Sequence, residues 1–389
     1  MPKQNMPETR THGRAHLGIA ALALLALTVA GCGGSPTVKP AELVKFKPNA
    51  QAKVLWRASV GDGDVYIFTP AVYEGAVYAA GANGTLARFD AATGKQVWRV
   101  DTKERLSGGV GVDGDVVVVA SKKGAVLAYD PKGKLVWKSQ VSSEVLMAPR
   151  AGQGFVVVRS GDGRIYALDV KDGKPQWEYR FTLPPLLLRS DSGVVIHRGV
   201  VLAGLAAGKV VALNLTNGSV LWEATLALPK GANELERITD IAAAPTVDSD
   251  QACAVTFQGR VGCYDLTRGS LLWSRDATSS VGLAIDPITV YMSDARSQVF
   301  ALDKSTGATI WKQDKLFARQ ASAPAQIGLF VAVGDFQGYT HFLDRDDGGF
   351  AVRLSTDGSG IKARPIRLGP NLLVQTRKGG LYAISVKTL

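Results

Sequence analysis

Histidine and cysteine are nearly absent from this chain, with four and three residues among 389. His12 and His16 fall in a segment that reads as removed on export, which leaves His197 and His341, too few to build a His/Cys metal centre. No G-x-S-x-G elbow and no H-E-x-x-H motif occurs, so the usual signatures of a serine hydrolase or a zinc peptidase are missing. Charge of one sign is never concentrated. The net charge is +11, yet no run of Lys and Arg exceeds two residues, which describes a soluble basic surface rather than a nucleic-acid groove. The longest apolar run, Leu17–Ala30, is shorter than the roughly 20 residues a helix needs to cross a bilayer. What the chain has in quantity is glycine, 43 residues, beside an apolar fraction of 46%. That combination means many turns around a substantial core.

The N-terminus carries an address. Arg10, His12, Arg14 and His16 precede the apolar run, and the run ends in Val29-Ala30-Gly31-Cys32. A basic start, a short apolar stretch and small residues at its end form a secretory signal over residues 1–31. The last four residues resemble the bacterial lipobox, with Val in place of the commoner Leu. That resemblance implies that Cys32 is diacylated and becomes the mature N-terminus. Each buried CH₂ of such chains contributes about 0.8 kcal/mol to anchoring in the lipid bilayer. Removal of residues 1–31 leaves 42 basic and 33 acidic residues, a net charge of +9. Residues 32–51 then read as a polar tether. In lipoproteins an Asp after the cysteine retains the protein at the inner membrane. Gly33 stands there instead, which points to the outer membrane, facing the periplasm.

A repeat occupies the rest of the chain. LARFDAATGKQVW at 86–98 recurs as IYALDVKDGKPQW at 165–177, VVALNLTNGSVLW at 210–222 and VFALDKSTGATIW at 299–311. LAYDPKGKLVW at 127–137 and VGCYDLTRGSLLW at 261–273 are further copies, and HFLDRDDGGFAV at 341–352 is a degenerate one. All seven tryptophans fall at repeat positions, Trp56 through Trp311, with spacings of 42, 39, 40, 45, 51 and 38. Each unit holds four short stretches of strand character. In the first these are 70–72, 76–80, 85–89 and 95–100, with Asn83-Gly84 and Thr93-Gly94 as hairpin turns between the later pairs. Four strands per period of about 40–45 residues make a propeller blade.

The two ends decide the count. The last unit stops after Leu381-Tyr382-Ala383-Ile384 without a Trp-bearing fourth strand, while Val54-Leu55-Trp56 is a fourth strand with no unit before it. Joining them gives an all-β fold: an eight-bladed β-propeller of four-stranded antiparallel blades spanning 52–389, closed by the strand around Trp56. A linear solenoid would leave both pieces unpaired and the sheet edges bare. The tryptophans are then expected to pack between blades. The aspartates eight residues before them (Asp90, Asp169, Asp265 and Asp303) are expected to cap the hairpin turns, since seven near-copies of a catalytic acid serve no purpose.

The phrase A-x-D-x-x-T-G-x-x-x-W resembles the quinoprotein-type propeller repeat. Within that group the chain is most similar to the BamB family, lipoprotein subunits of the outer-membrane β-barrel assembly machinery. The similarity covers nearly all of 32–389 and is sharpest at LPPLLLRSDS (183–192), NELERITDIAAAPTV (233–247) and VGDFQGYTHFLDRDDG (333–348). It implies a partner, the barrel-forming subunit BamA with its periplasmic POTRA domains, and a contact site made of Leu186, Leu188, Arg189 and Asp240. The family often has a second acid two residues beyond the last of these, where this chain has Ala242. It also implies a role in bringing unfolded outer-membrane proteins to that partner, either by orienting it or by offering strand edges for β-augmentation.

Strand parity reaches the same surface independently. In a four-stranded meander the blade-to-blade connectors share a face with the second-to-third turns. The connectors leaving Trp177 and Trp222 therefore emerge side by side on one face of adjacent blades. The first carries the apolar stretch Pro184–Leu188 and the second the longest insertion, and both are properties of contact surfaces.

Cys253 and Cys263 flank one hairpin in an oxidising compartment. A turn with a bulged glycine at Gly259 sets them opposite each other, ready for a disulfide. A two-residue turn at Gln258-Gly259 points them to opposite faces.

An enzyme needs more chain than this. Quinoprotein dehydrogenases add calcium-binding and catalytic insertions, whereas blades consume nearly all of the mature 358 residues, so no cofactor and no catalytic residue is expected. Gly-Asp-Gly at 61–63 and 161–163 sits at turns or connectors. A polysaccharide-binding propeller would need clustered exposed aromatics, and those here are committed to blade positions. The sequence reads as a non-catalytic scaffold.

Overall fold

Runs such as Val116–Ser121 (VVVVAS) and Ala125–Tyr129 (AVLAY) are buried along their whole length. Such runs fit strands covered on both faces. Fourth strands read differently: Leu135–Gln140 exposes most residues and buries Trp137. A stack of sheets with inner strands enclosed and outer strands half solvated satisfies both patterns. The computed structural model, which describes Met1 and residues 38–188 and 192–389, has that form. Eight four-stranded antiparallel sheets follow one another. In chain order, blades one to seven run 71–101, 106–140, 150–180, 194–225, 246–277, 283–313 and 325–355. Blade eight is built from both ends of the chain: the strands from Ile366 to Thr388, plus Ala50–Ser59 as its outermost strand, with Trp56 opposite Ala383. Among the described residues there is no α-helix, only a 3₁₀ turn at Ala206–Gly208.

Each tryptophan joins its blade to the next. The Trp177 ring lies beneath Gly218 in the third-to-fourth turn of blade four, and its Nε1–H donates to the Leu215 carbonyl at 2.7 Å. The pattern repeats from Trp56 (under Gly94, bonded to Ala91) to Trp311 (under Gly348, bonded to Arg345). Every such glycine has a positive φ, +71° at Gly218, and a Cβ there would stand 2.7 Å from ring carbons. The aspartates cap these turns as expected. Asp303 Oδ1 accepts the amides of Ser305 and Thr306, and hydrogen bonds from those two hydroxyls, then from the amides, hold its carboxyl below the usual range.

Seven tryptophans serve eight seams. On blade seven, Val352 takes the position opposite Phe342 that Trp311 takes opposite Ala301. The reason is topological. The third and fourth strands of blade eight are the two chain ends, so no hairpin turn exists there to cover a ring. The segment before Ala50 closes this seam instead. Phe46 stacks on Phe350 at 5.3 Å, Asn49 N–H donates to the Ala351 carbonyl, and Leu389 N–H donates to Asn49. The first strand thus starts two residues before the expected boundary. The chain is also already bonded to the propeller at Ala41, whose N–H donates to Phe317. The polar stretch read as a free tether up to Gln51 is therefore, from Ala41 on, part of the folded body.

A buried polar cluster pins that segment. Arg319 donates through Nε and Nη2 to Asp335 Oδ2 at 2.9 and 2.7 Å, and through Nη1 to the Ala41 carbonyl. Arg353, its guanidinium beside the stacked Phe46 and Phe350 rings at 5.2 and 5.4 Å from their centres, donates to the Val44 carbonyl and from Nε to His341 Nδ1 at 3.1 Å. Since Nδ1 accepts, the proton of His341 sits on Nε2, 3.0 Å from Asp335 Oδ2, and the ring is neutral. Burial pushes the His341 pKa below the ordinary value, and the Arg353 and Arg319 charges add to this against Asp335. Burial would raise the Asp335 pKa, but the hydrogen bonds from His341, the Tyr339 amide and Arg319 outweigh it and keep the carboxyl low.

Two outcomes follow from these contacts. Gly75 has φ +74° and open space around it, whereas Gly218 has nearly the same φ and the Trp177 ring against it. Gly75→Ala should cost about 1–2 kcal/mol of backbone strain. Gly218→Ala should cost that plus about 1–3 kcal/mol of overpacking, and urea unfolding of the two variants measures the difference. The second outcome concerns pH. The unfolded chain protonates His341 near pH ~6.5, and the folded chain only at lower pH. The stability that the neutral ring provides is complete above that range and is lost as pH falls through it. Unfolding measured from about pH 7.5 to about pH 5 should show this decline, and His341→Gln should flatten it.

Candidate functional site

The two connectors expected to share a face meet there. Asp240, on the connector from blade four to blade five, accepts the Leu188 amide with Oδ2 at 2.7 Å. Its Oδ1 takes the amide of Ala207, in the second-to-third turn of blade four, at 3.0 Å. The Asp240 carbonyl accepts from Phe257, in the equivalent turn of blade five, and Ile241 N–H donates to Leu205. Connectors and second-to-third turns lie on one face, as parity requires.

Asp240 itself is only 5% exposed. It was expected on the contact surface, but its carboxylate is turned inward and accepts one amide on each oxygen from among the described residues. Its role is to hold the Pro184–Leu188 stretch in place. Arg159 of blade three strengthens the clamp. Its Nη1 donates to Ser192 Oγ and to the Gly204 carbonyl, and its guanidinium lies over the Phe181 ring at 5.1 Å. Burial lowers the Arg159 pKa to about 10, and the Asp240 charge opposes that fall. The connector is thus fixed at Phe181, Leu188 and Ser192 while its apolar tip stays outside.

Of the expected contact residues, Leu186 is exposed and Leu188 is half-buried. Leu188 lines a cavity of about 150 Å³ with Met147, Phe181, Leu183 and Arg159. Arg189 lies outside the described residues, as does Cys32. Ala242, in place of the family's second acid, is buried and lines a second cavity. Sequence reasoning missed Leu228 and Leu235, which are 68% and 67% exposed on the longer connector. Their signal is present as isolated leucines in the charged insertion LALPKGANELER, but nothing in the sequence tells an exposed leucine from one folded beneath the loop.

The hairpin of blade five has the register that faces its cysteines. Thr256 N–H donates to the Arg260 carbonyl, Cys253 stands opposite Cys263 with Cα atoms 4.0 Å apart, and the sulfurs are joined in a disulfide. The turn differs from the bulged glycine expected. Gln258 takes the positive φ, +52°, and Gly259 is needed because a Cβ there would lie 2.2 Å from Thr256 Oγ1. At Gly61-Asp62-Gly63, Asp62 Oδ1 accepts the Asp64 amide at 2.6 Å within a turn. Among the described residues no three His, Cys, Asp or Glu side chains converge as metal ligands would.

Comparison with known proteins agrees with this architecture. The profile of the family described as outer membrane protein assembly factor BamB matches residues 37–102 and 82–313. The outer membrane protein assembly factor BamB of Burkholderia pseudomallei is 42% identical over 365 residues, 93% of this chain and 96% of that protein. The crystal structure of BamB from Moraxella catarrhalis superposes with a TM-score of 0.79 at 24% identity, covering 86% of this chain and all of that one. A quinohemoprotein alcohol dehydrogenase from Comamonas testosteroni shares the propeller fold alone, with a TM-score of 0.70 at 13% identity over 86% of this chain and 76% of that one. With a family profile matched across more than half its length and a relative this similar over nearly all of both chains, the chain belongs to the outer membrane protein assembly factor BamB family.

Proposed function

We propose that this protein is a non-catalytic scaffold of outer-membrane protein assembly, anchored through an acylated Cys32 and facing the periplasm. It would bind the POTRA domains of the barrel-forming subunit BamA through its connector face. One observation carries the reading: Asp240 and Arg159 lock the connector around Leu186 into a fixed shape on the same face as the exposed Leu228 and Leu235. Apolar side chains held rigidly in water tend to mark a docking surface. Arg189, next to Leu188 in sequence, would add a directional charge-assisted bond. The membership of a family described as assembly factors supports the same reading against the dehydrogenase one.

The clamp alters what each substitution should do. Leu186→Ala and Arg189→Glu should abolish co-purification of the partner without lowering the melting temperature, with a loss of about 2 kcal/mol or more at a hot spot. Asp240→Ala should reduce binding and stability together, because it leaves the half-buried amides of Leu188 and Ala207 without their acceptor, at about 1 kcal/mol each. Lys171→Glu, in a third-to-fourth turn on the opposite face, should change neither. Equal binding by Arg189→Glu and Lys171→Glu would sink the proposed site.

The anchor is tested separately. Cys32→Ser should move the protein from the membrane fraction to the soluble periplasm, and a variant that still sediments with membranes places the anchor elsewhere.

A further inference from the structure

The connector face is not uniform in charge. Each blade adds to it the connector that enters the blade and the turn between its second and third strands. In blades seven, eight, one and two these loops hold ten Lys and Arg against six Asp and Glu. In blades three to six they hold four against seven. The half that carries Leu186, Leu228 and Leu235 is thus acidic, and the other half is basic.

Pairing sharpens the difference. In the basic half Asp64 is bonded to Arg105 at 3.2 Å, Glu104 to Lys138 at 2.7 Å and Asp335 to Arg319 at 2.7 Å. Asp357 accepts from Ser359 and Thr376. Lys122, Lys123, Lys362, Arg377 and Lys378 are exposed, and their side chains make no hydrogen bond or ion pair with any described residue. The first two belong to blade two and the others to blade eight, on either side of blade one. An open cavity of about 510 Å³ on this half is lined by Val65, Arg105, Lys362 and Arg377. Backbone bonds hold its walls: Gly63 N–H donates to the Arg377 carbonyl at 2.8 Å, and Ala82 N–H to that of Asp62. Val65 is 67% exposed, and Phe317, in the connector entering blade seven, is 39% exposed. Free cations with apolar side chains among them suit a lipid surface.

The chain from the anchor arrives in the same half. Ala41 N–H donates to the Phe317 carbonyl, and the Ala41 carbonyl accepts from Arg319. Nine residue steps lead back from Ala41 to Cys32, and a fully extended chain covers about 30 Å in that number. With Cys32 acylated, Ala41 cannot stand farther than this from the membrane. A tether free as far as Ala50 would allow about 60 Å.

We propose that the basic half of the connector face rests on an anionic lipid surface, which leaves the acidic half to the protein partner. Lys122, Lys123, Lys362, Arg377 and Lys378 meet the headgroup phosphates, with Val65 and Phe317 between them. The closeness of the membrane rests on the acylated Cys32 proposed above, and the contact rests on the charge of the face. Each cation near an anionic leaflet is worth about fivefold in binding, and a short tether holds weak contacts at a high effective concentration. An acidic protein could answer the same charges, but the anchor chain enters in this half while Leu186 stands in the other.

The test places the full-length lipoprotein in vesicles of phosphatidylcholine, alone or mixed with phosphatidylglycerol, and reads lysine acetylation by mass spectrometry. Lys122, Lys123, Lys362 and Lys378 should be protected about tenfold in the mixed vesicles, and high salt should abolish the protection. Lys132 and Lys171, in third-to-fourth turns on the opposite face, should react alike in both. Sedimentation of the Cys32→Ser protein with the same vesicles separates the surface from the anchor. That protein should bind the mixed vesicles alone, and Lys362→Glu, Arg377→Glu and Lys378→Glu together should remove the binding. Lys122→Glu with Lys123→Glu should weaken it, and neither set should alter the melting temperature or capture of the partner. Arg189→Glu should leave vesicle binding intact. Equal protection in the two kinds of vesicle, or undiminished vesicle binding by the triple variant, overturns the lipid surface even where Cys32 proves acylated. Loss of partner capture by the triple variant, with vesicle binding unchanged, assigns the cations to an acidic protein and overturns it likewise. Binding of the Cys32→Ser protein to mixed vesicles, with no acyl chain found on the parent's Cys32, upholds the surface and removes the anchor.

Discussion

A tryptophan of one blade lying flat beneath a glycine of the next is the contact on which the ring depends. It buries a large aromatic surface at seven of the eight seams, and the Nε1–H bond to a carbonyl of the neighbouring turn fixes the ring's direction. The contact also makes the repeat phrase non-local. Gly94 and Trp98 are four residues apart in the same phrase, yet Gly94 covers Trp56 and Trp98 lies under Gly133. Each copy therefore provides the cover for the ring behind it and the ring for the cover ahead. No blade is complete until both neighbours are present, and this favours closure over an open array.

Much of this was legible in the sequence because it is periodic. Tryptophan spacing, turn dipeptides and the orphan strand at Trp56 sufficed for eight blades and for the way the ring closes. What escaped was whatever happens once. The eighth seam has no tryptophan because the third and fourth strands of its blade are chain ends, and the segment that replaces it, 41–49, has no periodicity to read. His341 and Arg353 fall inside or just beyond the degenerate seventh copy, where loss of the motif looked like decay. They build the polar cluster that holds that segment.

The placement of the two connectors was legible to the same degree and for the same reason. Parity in a meander is a counting rule, and it set both connectors on one face. Counting says nothing about the direction of a side chain in an irregular connector. Asp240 and Leu188 were named as neighbours on a surface, while the structure has the carboxylate inside, bonded to the backbone beneath the leucine. The cysteines show the limit at finer scale. The register that joins them was one of two open alternatives, yet the left-handed residue is Gln258 and not the glycine beside it. A tight contact with Thr256 had already required Gly259 for a different purpose.

The division of labour between seam and connector explains why a charge can be buried at Asp240 at all. Because rings and turn glycines hold the blades together, the connectors are not needed for closure and are free to vary in length. A long free connector would cost entropy to order on binding a partner. A carboxylate that accepts amides from two different loops removes much of that cost in advance, since its bonds are charge-assisted and shielded from water. Arg159, from a third element, blade three, bonds Ser192 and Gly204 and so holds the far end of the same connector. An exposed acid in this position could contact a partner, but it could not shape the loop. The inward carboxylate makes the form of the surface, and not its charge, the quantity that Asp240 controls.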